Sequence, residues 1–409
     1  MSDVGNGFTT AGMSRLRGLL NRYVESGQIP GLVALVSRGE EVHVEAAGTM
    51  RHDGGPAMRR DTIFRMASTT KPVTMAAAMV LLDECRIRLD DPVQEWLPEL
   101  ADRQVLVRPD GPLDDTVPAH RPITVRDVLS STFGLGIDLP LMAAPIGAKV
   151  MEVAYYSPAA GSAVDPDAWL RLLGGIPLSY QPGQRWQYEL SHDVLSMLVA
   201  RVTGQTLGDF LGERVFEPLG MRDTGFWVGE AAIDRLPPCY MPDPGTGEFH
   251  VWDEAAGGSF SKPPMFHRGG GGLVSTVDDY HTYFRMLLAG GVHHGRRILS
   301  RPAVELMTTN RLGAEVQALR HQMAVSNVHL SYGQGQHGGW GFGMAVRTHR
   351  GDYSPIGQFG WDGGTGTSVY ADPYHGVTGI LLTQVGLSVP APARLIHDFW
   401  TTVYQAIDA

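Results

Sequence analysis

The sequence predicts an α/β fold of the α+β type, in which both ends of the chain build one antiparallel sheet. Two strand-like runs, 31–37 and 41–46, lie near the start of the 409-residue chain, and further strand patterns return after residue 340. The stretch between them is mainly helical in pattern, and a helical pattern also stands at each end. We therefore expect terminal helices to face the sheet and a mainly α lobe to be inserted.

The expected lobes follow from where the strand patterns stop and resume. Residues 1–86 and 255–409 are assigned to the α/β lobe and residues 87–254 to the mainly α lobe, with approximate boundaries. We expect the active site at their junction, because small-molecule sites form preferentially in clefts between lobes.

Each element has its own local signal. Helical spacing marks a first helix over about 11–26, and residues 38–40 separate the two early runs as a hairpin turn. A buried helix follows Lys71, where Pro72 is tolerable in a first turn. Capped helix starts follow at 124–127, 165–166 and 275–278, and the last two of these helices end at 174–175 and 290–291. Strand patterns return at 340–346, 366–371 and 377–383. A last helix covers about 391–407.

Composition limits the classes of partner. Hydrophobic residues make up 43% and charged residues 19%, which is ordinary for a soluble globular protein. The net charge of -10, with no basic stripe, argues against nucleic acid. Two cysteines, Cys85 and Cys239, have neither disulfide nor zinc spacing, so no metal or organic cofactor is expected.

The first residues lack the basic and apolar regions of an export signal. No run of about twenty apolar residues occurs that could span a bilayer. We therefore expect a cytoplasmic protein without a membrane partner.

One lysine stands out, because the chain has only three among its 33 basic residues. Lys71 follows Ser68 by three positions, so on a helix the hydroxyl and the amine share a face. Free backbone N–H groups at a helix start favour an oxyanion. Unlike arginine, a desolvated lysine can take a proton. Ser68 is therefore a candidate nucleophile, and the alternative is that it merely caps the helix.

Other nucleophile patterns are weaker. A second Ser-x-x-Lys, Ser259 to Lys262, runs into two prolines that no helix could follow, so we discount it. The sequence has no Gly-x-Ser-x-Gly elbow, no His-Glu-x-x-His and no P-loop. Residues 191–193, Ser-His-Asp, are adjacent and point in different directions, so they do not form a triad.

Three ordered segments carry a family resemblance. The first is residues 64–72, Phe-Arg-Met-Ala-Ser-Thr-Thr-Lys-Pro, which is followed by 88–92 and 96–98. The second is residues 188–195, which begin Tyr-Glu-Leu. The third is residues 359–367, Phe-Gly-Trp-Asp-Gly-Gly-Thr-Gly-Thr, which is preceded by the glycine loop 269–273. The chain resembles the serine β-lactamase and DD-peptidase superfamily. More narrowly, it is similar to class C β-lactamase-like carboxylesterases, often called family VIII esterases, over about residues 11–400.

The resemblance implies a set of catalytic roles. Ser68 would be the nucleophile, Lys71 its amine partner and Tyr188 the second base, working as a phenolate or as a proton relay. The backbone N–H groups of Ser68 and Gly364 would form the oxyanion hole. Either Lys71 or Tyr188 could take the first proton, because strongly coupled groups titrate as a unit.

Two departures from the β-lactamase pattern concern the substrate. Leu190 stands where β-lactamases carry an asparagine amide, and Trp361 stands where they carry lysine or histidine. Both changes exchange polar recognition for apolar surface. Asp362 would add negative charge close by. We therefore assign substrate binding to Leu190, Trp361, Asp362 and Gly363.

The expected function is a serine ester hydrolase that acts through an acyl-enzyme on Ser68. Its partner would be a small, neutral carboxylic ester with apolar groups. The resemblance leaves three alternatives: a β-lactamase, D-amino-acid peptidase or amide hydrolase of the same fold; an acyltransferase; or a penicillin-recognising protein that binds without turnover.

Overall fold

The computed structural model describes residues 7–154, 164–325, 338–388 and 390–407. The helices of this part of the chain are α1 Thr10–Glu25, α2 Thr70–Asp83, α3 Val125–Leu129, α4 Pro145–Ala154, α5 Pro166–Gly175, α6 Ser191–Thr203, α7 Leu207–Leu211, α8 Glu217–Leu219, α9 Val277–Leu288, α10 Arg301–Thr308, α11 Ala314–Val325 and α12 Pro390–Ala406. Its strands are β1 Gly31–Arg38, β2 Glu41–Gly48, β3 Phe64–Arg65, β4 Gln104–Leu106, β5 Thr116–Pro118, β6 Cys239–Pro242, β7 Phe249–Asp253, β8 Val274–Ser275, β9 Val292–His293, β10 Arg296–Arg297, β11 Gly338–Trp340, β12 Ala345–Arg347, β13 Phe359–Gly363, β14 Thr367–Asp372 and β15 Val377–Thr383.

The central feature is a seven-stranded sheet in the order β11-β12-β13-β14-β15-β1-β2. All its neighbouring strands pair antiparallel. The two ends of the chain meet where β1 pairs with β15, so that Leu35 lies opposite Ile380. The predicted antiparallel sheet built from both ends is therefore confirmed.

The sheet differs from the prediction at one edge. The run 340–346, predicted as a single strand, is divided between β11 and β12. The chain turns at Gly341, where an added Cβ would lie 1.9 Å from the carbonyl oxygen of Met307. Only a residue without a side chain fits at that distance. The strand β13 was not predicted, because its glycines interrupt an alternating pattern.

The two faces of the sheet have different partners. Alternate residues of β1, including Leu32 and Ala34, join a hydrophobic cluster with the terminal helices α1 and α12. The residues between them, such as Val33 and Leu35, join the largest hydrophobic cluster, which also contains α2 and α9. This alternation follows from the period of two in a strand. It places α2, and with it Lys71, on the face opposite the terminal helices.

The segment predicted to be mainly α contains α3 to α8. It also contains the strand pairs β4–β5 and β6–β7. Strands of three to five residues are too short to give a clear alternating signal. Leu173 and Leu198 of this segment lie in the same hydrophobic cluster as Leu35 of the sheet. The helical segment and the sheet thus share a core, and the lobe boundaries themselves remain a prediction.

The described residues contain neither a membrane-spanning helix nor a cluster of metal ligands. Among the described residues, no helix combines the length and the apolar character that crossing a bilayer requires. Cys85 is exposed and Cys239 is buried, and neither forms a disulfide. Within the same residues, histidine, cysteine, aspartate and glutamate nowhere gather in a group of three or more that could hold a metal ion.

Candidate active site

Ser68 lies in a tight turn at the head of α2. The turn, Ala67–Thr69, is a 3₁₀ helix that continues directly into α2. Ala67 has a φ of 45°, a left-handed conformation that disfavours a residue with a side chain by about 1–2 kcal/mol. Ser68 is partly exposed while Thr69 and Lys71 are buried. The turn thus presents the Ser68 hydroxyl at the surface of the site, and no side-chain cap bond forms there.

Lys71 is fully enclosed, and its amine contacts three oxygen atoms. Its Nζ lies 2.9 Å from Ser68 Oγ, 2.8 Å from Glu189 Oε1 and 2.6 Å from the carbonyl oxygen of Gly270. The side chain has an exposed fraction of 0%. The structure therefore brings the serine and the lysine together as the spacing predicts.

Tyr188 completes the group. The Ile137 backbone forms an antiparallel bridge to Tyr188, just before α6. The phenol hydrogen-bonds Ser68, and its oxygen accepts the indole N–H of Trp361 at 2.7 Å. Burial, and then the charge of Glu189, raise the pKa of Tyr188 well above its usual value of 10, although the two hydrogen bonds oppose this. At neutral pH Tyr188 is thus a phenol, which favours a proton relay over a phenolate.

The end of β13 lies against the turn Ala67–Thr69. An added Cβ on Gly363 would lie 2.4 Å from the carbonyl oxygen of Met66, and Thr367 Oγ1 donates to that same oxygen at 3.0 Å. Gly363 therefore permits close backbone approach and does not line a substrate pocket. The next residue, Gly364, is exposed, and nothing lies within 4 Å of its ideal Cβ position. Among the described residues its N–H donates to no acceptor.

Trp361 belongs to a buried aromatic cluster, which we define as Trp186, Trp340 and Trp361 with the partly buried Tyr188. The Trp361 ring centre lies 4.8 Å from that of Trp340 and 5.7 Å from that of Tyr188. The guanidinium of Arg320 lies over the Trp186 ring at 4.8 Å, and burial lowers the pKa of Arg320 to about 10. Trp361 is only 1% exposed, so it acts on the site through Tyr188.

Two expected substrate-binding residues do not reach the site. Leu190 is 0% exposed and packs in the largest hydrophobic cluster, so it offers no surface to a ligand. Asp362 points to the face of β13 opposite Trp361, where it accepts hydrogen bonds from Ser368 Oγ at 2.7 Å and from the Tyr370 hydroxyl at 3.2 Å. Successive strand residues face opposite ways, so the Asp362 side chain does not line the site as expected, but its charge still helps to raise the pKa of Tyr188.

Glu189 is the residue that sequence reasoning missed. It occupies the variable position directly after Tyr188, and its side chain is 17% exposed. Its partner Lys71 is remote in sequence, so no local pattern reveals the contact. The one indication in the sequence was that an acidic residue follows Tyr188, whose expected role depends on Lys71.

Residues 191–193, Ser-His-Asp, make contacts that differ from those of a catalytic triad. Asp193 accepts the Arg268 Nε–H at 2.9 Å and the backbone N–H of Gly270 at 2.9 Å, which holds the carbonyl group of Gly270 in reach of Lys71. His192 is 1% exposed, and burial followed by the charge of Lys71 lowers its pKa well below 6.5. It is therefore a neutral core residue.

The second Ser-x-x-Lys pattern has a different geometry. Ser259 lies in the short 3₁₀ turn Ser259–Ser261, and its backbone N–H donates to Asp253 Oδ1 at 2.8 Å. Lys262 is exposed and extended, with a φ of -149°. A serine and a lysine placed in this way do not share a helix face.

The sheet and the Ser68–Lys71–Tyr188 arrangement define a protein of the serine β-lactamase and DD-peptidase superfamily. The comparison with protein families agrees, since the Beta-lactamase family model matches residues 16–397. The chain belongs to this family. Its fold is the β-lactamase/transpeptidase-like fold.

Relatives with assigned names include esterases. The chain is 38% identical to Protein Rv1367c of Mycobacterium tuberculosis over 380 residues, which covers 91% of this chain and 90% of that protein. It is 30% identical to the lovastatin esterase of Penicillium rubens, with 74% of each chain covered. Among solved structures it is similar to "EstCE1, a hydrolase with promiscuous acyltransferase activity", at 25% identity and a TM-score of 0.76, with 98% of this chain and 99% of that chain covered.

Proposed function

We propose that this protein hydrolyses neutral carboxylic esters with apolar groups through an acyl-enzyme on Ser68. The observation that carries the proposal is one partly exposed hydroxyl bonded to both Lys71 Nζ and the Tyr188 phenol. A nucleophile with a proton acceptor in hydrogen-bond reach is the recurring arrangement of covalent catalysis. The esterase names among the relatives support the same chemistry.

Acylation begins when Ser68 Oγ attacks the carbonyl carbon of the ester. The Ser68 proton passes to the Tyr188 oxygen while the phenolic proton passes to the leaving oxygen, so the alcohol departs neutral. The negative charge on the carbonyl oxygen is stabilised by the N–H groups of Ser68 and Gly364. Gly364 suits this role because its N–H has no acceptor among the described residues and its surroundings are open.

Deacylation repeats these steps with water in place of the alcohol. Water attacks the acyl carbon and gives a proton to Tyr188, which returns its own proton to Ser68 Oγ. The acyl–oxygen bond to Ser68 breaks, and a carboxylic acid leaves. Tyr188 ends each half of the cycle as a phenol, in keeping with its raised pKa.

The preference for a neutral substrate rests on the charges around Ser68. Lys71 is paired with Glu189 at 2.8 Å, so its charge is already balanced. Arg268 is paired with Asp193. Position 361 carries an uncharged indole that is already bonded to Tyr188. None of these groups is left to bind the carboxylate of a penicillin or of a peptide terminus.

The nucleophile assignment is tested with two serine variants. Ser68→Ala should abolish turnover of p-nitrophenyl butyrate and covalent labelling by a fluorophosphonate. Ser259→Ala is the matched control, because it alters the serine of the other Ser-x-x-Lys pattern, and it should leave both unchanged. Equal loss in the two variants, or no loss in either, would falsify the assignment.

A second candidate function is acyl transfer, which the printed name of EstCE1 favours. The same acyl-enzyme can react with an alcohol instead of water. Adding a short alcohol to the ester assay distinguishes the two: transfer produces a new ester, whereas a strict hydrolase releases only acid. Nitrocefin turnover at a rate comparable with ester turnover would favour a β-lactamase instead.

A further inference from the structure

We propose that Glu189 holds Lys71 as an ammonium ion, so that the Ser68 proton leaves through Tyr188 and not through the lysine. Glu189 is then a positioning residue, since it touches neither substrate nor nucleophile. The inference rests on the proposed function for its kinetic consequence. Its structural content, the charge of Lys71, can be measured without substrate.

The contacts of Lys71 Nζ are the starting point. Gly270 contributes a carbonyl oxygen at 2.6 Å and Glu189 a carboxylate oxygen at 2.8 Å, and neither can donate a hydrogen bond. Both must therefore receive N–H groups from the lysine. Ser68 Oγ, at 2.9 Å, can either accept a third N–H from an ammonium or donate its proton to a neutral amine. Hydrogen-bond counting alone thus allows both charge states.

The carboxylate decides between them. Lys71 is 0% exposed and Glu189 is 17% exposed, so solvent screens their interaction weakly. An opposite charge in hydrogen-bond contact favours the charged form of a buried amine. A neutral Lys71 would also leave the Glu189 carboxylate largely removed from water and without a counter-ion. The ion pair is therefore the arrangement that satisfies both groups.

No other group facing Lys71 can take over the role of Glu189. From α6, His192 is neutral because burial lowers its pKa. Asp193 on the same helix is paired with Arg268 from the glycine loop. Within the described residues, Glu189 is the carboxylate that hydrogen-bonds Lys71 Nζ.

Tyr188 and Asp362 complete the charged and titratable surroundings. The Lys71 Nζ lies 4.5 Å from the centre of the Tyr188 ring, which favours a cation. Asp362 lies on β13 and points to the opposite face of the sheet. Neither group replaces the contact with Glu189.

A charged Lys71 fixes the direction of proton transfer. Its third N–H points at Ser68 Oγ, so the hydroxyl proton of Ser68 is left to point at the Tyr188 oxygen. That oxygen also accepts the Trp361 N–H at 2.7 Å, which occupies its second lone pair. The phenolic proton is then free for the leaving group. Lys71 stabilises the alkoxide that forms on Ser68 without changing its own charge.

The small number of lysines makes the charge state measurable. Labelling with [¹³Cε]lysine gives three signals, from Lys71, Lys149 and Lys262. Lys149→Arg and Lys262→Arg variants assign the remaining signal to Lys71. We expect it to keep the ammonium chemical shift from about pH 6 to about pH 9 in the wild type, and to move toward the neutral-amine shift within that range in Glu189→Gln.

The chain offers a matched control in an exposed pair of the same chemistry. Lys149 lies 2.9 Å from Glu152, with both side chains nearly half exposed. Glu152→Gln should leave the Lys149 signal in its ammonium form, because water solvates that amine. A neutral Lys71 in the wild type, or an unchanged Lys71 signal in Glu189→Gln, overturns the proposal. Thermal melting of Glu189→Gln confirms that the variant is folded before its spectra are compared.

The pH dependence of turnover supplies the second readout. The kcat/KM of Glu189→Gln, relative to wild type, should fall by about tenfold or more between about pH 6 and about pH 9, since the charged lysine is lost. A relative rise over the same range would make Lys71 the base and overturn the inference. A uniform loss at every pH would show a structural effect only, which also overturns it. Absent ester turnover counts against the proposed function alone, because the lysine spectra need no substrate.

Discussion

Replacing Trp361 with phenylalanine tests whether the indole N–H that reaches Tyr188 contributes to turnover. Trp361 Nε1 donates to the Tyr188 hydroxyl at 2.7 Å. Trp340 gives a matched control, because its indole N–H is buried and has no acceptor in the described parts of the chain. The two indoles are 1% and 0% exposed and pack against each other. Trp361→Phe and Trp340→Phe therefore remove the same atoms, and only the first removes a hydrogen bond.

The expected size of the effect follows from that bond. Leaving a buried polar group without one of its partners costs about 1–3 kcal/mol. The bond to Trp361 lowers the pKa of Tyr188, so its loss moves that pKa further from neutrality and weakens the relay. Because this bond is already present in the free enzyme, only its strengthening as charge develops at Tyr188, about 1 kcal/mol, raises the barrier, and kcat/KM should drop by roughly fivefold. The loss of ring packing is common to both variants and cancels in their comparison.

The assay is kcat/KM for p-nitrophenyl butyrate at neutral pH, with thermal melting to confirm that both variants are folded. We expect Trp361→Phe to fall clearly below Trp340→Phe. If the two variants retain the same kcat/KM, the hydrogen bond makes no kinetic contribution and the role assigned to Trp361 is wrong. A deeper loss in Trp340→Phe would contradict the reasoning as well.

Two further predictions concern stability. Burial lowers the pKa of His281 from 6.5 to about 4, and the neutral ring bonds Ser37 at 2.8 Å. Between these two pH values only the unfolded state binds the proton, so the contribution of His281 to the free energy of unfolding is complete above about pH 6.5 and is lost as the pH falls to about 4; it amounts to roughly 3 kcal/mol. Urea unfolding of His281→Gln should therefore depend less on acid than that of the wild type. His250→Gln, which alters an exposed histidine, should match the wild type. Asp253→Asn should lower the free energy of unfolding by about 3 kcal/mol. The reason is that Arg65, which is only 3% exposed, would lose the carboxylate that its Nε contacts at 2.7 Å. A loss below about 1 kcal/mol in urea unfolding would contradict this prediction.

The parts of the fold that the sequence predicted are those with local signals. The hairpin β1–β2 follows from two strand-like runs around a glycine turn, and the Ser68–Lys71 contact follows from helical spacing. The run 340–346 was predicted as one strand because the approach of Met307 to Gly341 is a tertiary contact. The same limit explains why the separation of Asp362 from Trp361 was missed: alternation applies only once β13 is recognised as a strand.

The remainder of the site depends on contacts between distant segments. Glu189 meets Lys71 only because α6 packs against α2 in the shared core. Trp186 and Trp340 join Trp361 only through the order of strands at the β11 edge. Pairings of this kind carry no periodic signal, so residue type and spacing cannot indicate them.

The pairing of β1 with β15 has a consequence for the newborn polypeptide. Because β1 precedes Ser68 and β15 follows Gly364, β1 cannot complete its pairing until the residues of β15 have also left the ribosome. At about 5–20 residues per second, Gly364 is made roughly 15–60 s after Ser68. A product truncated before residue 364 would therefore lack one of the two N–H groups proposed for the oxyanion hole, and by the proposed mechanism it should not hydrolyse esters.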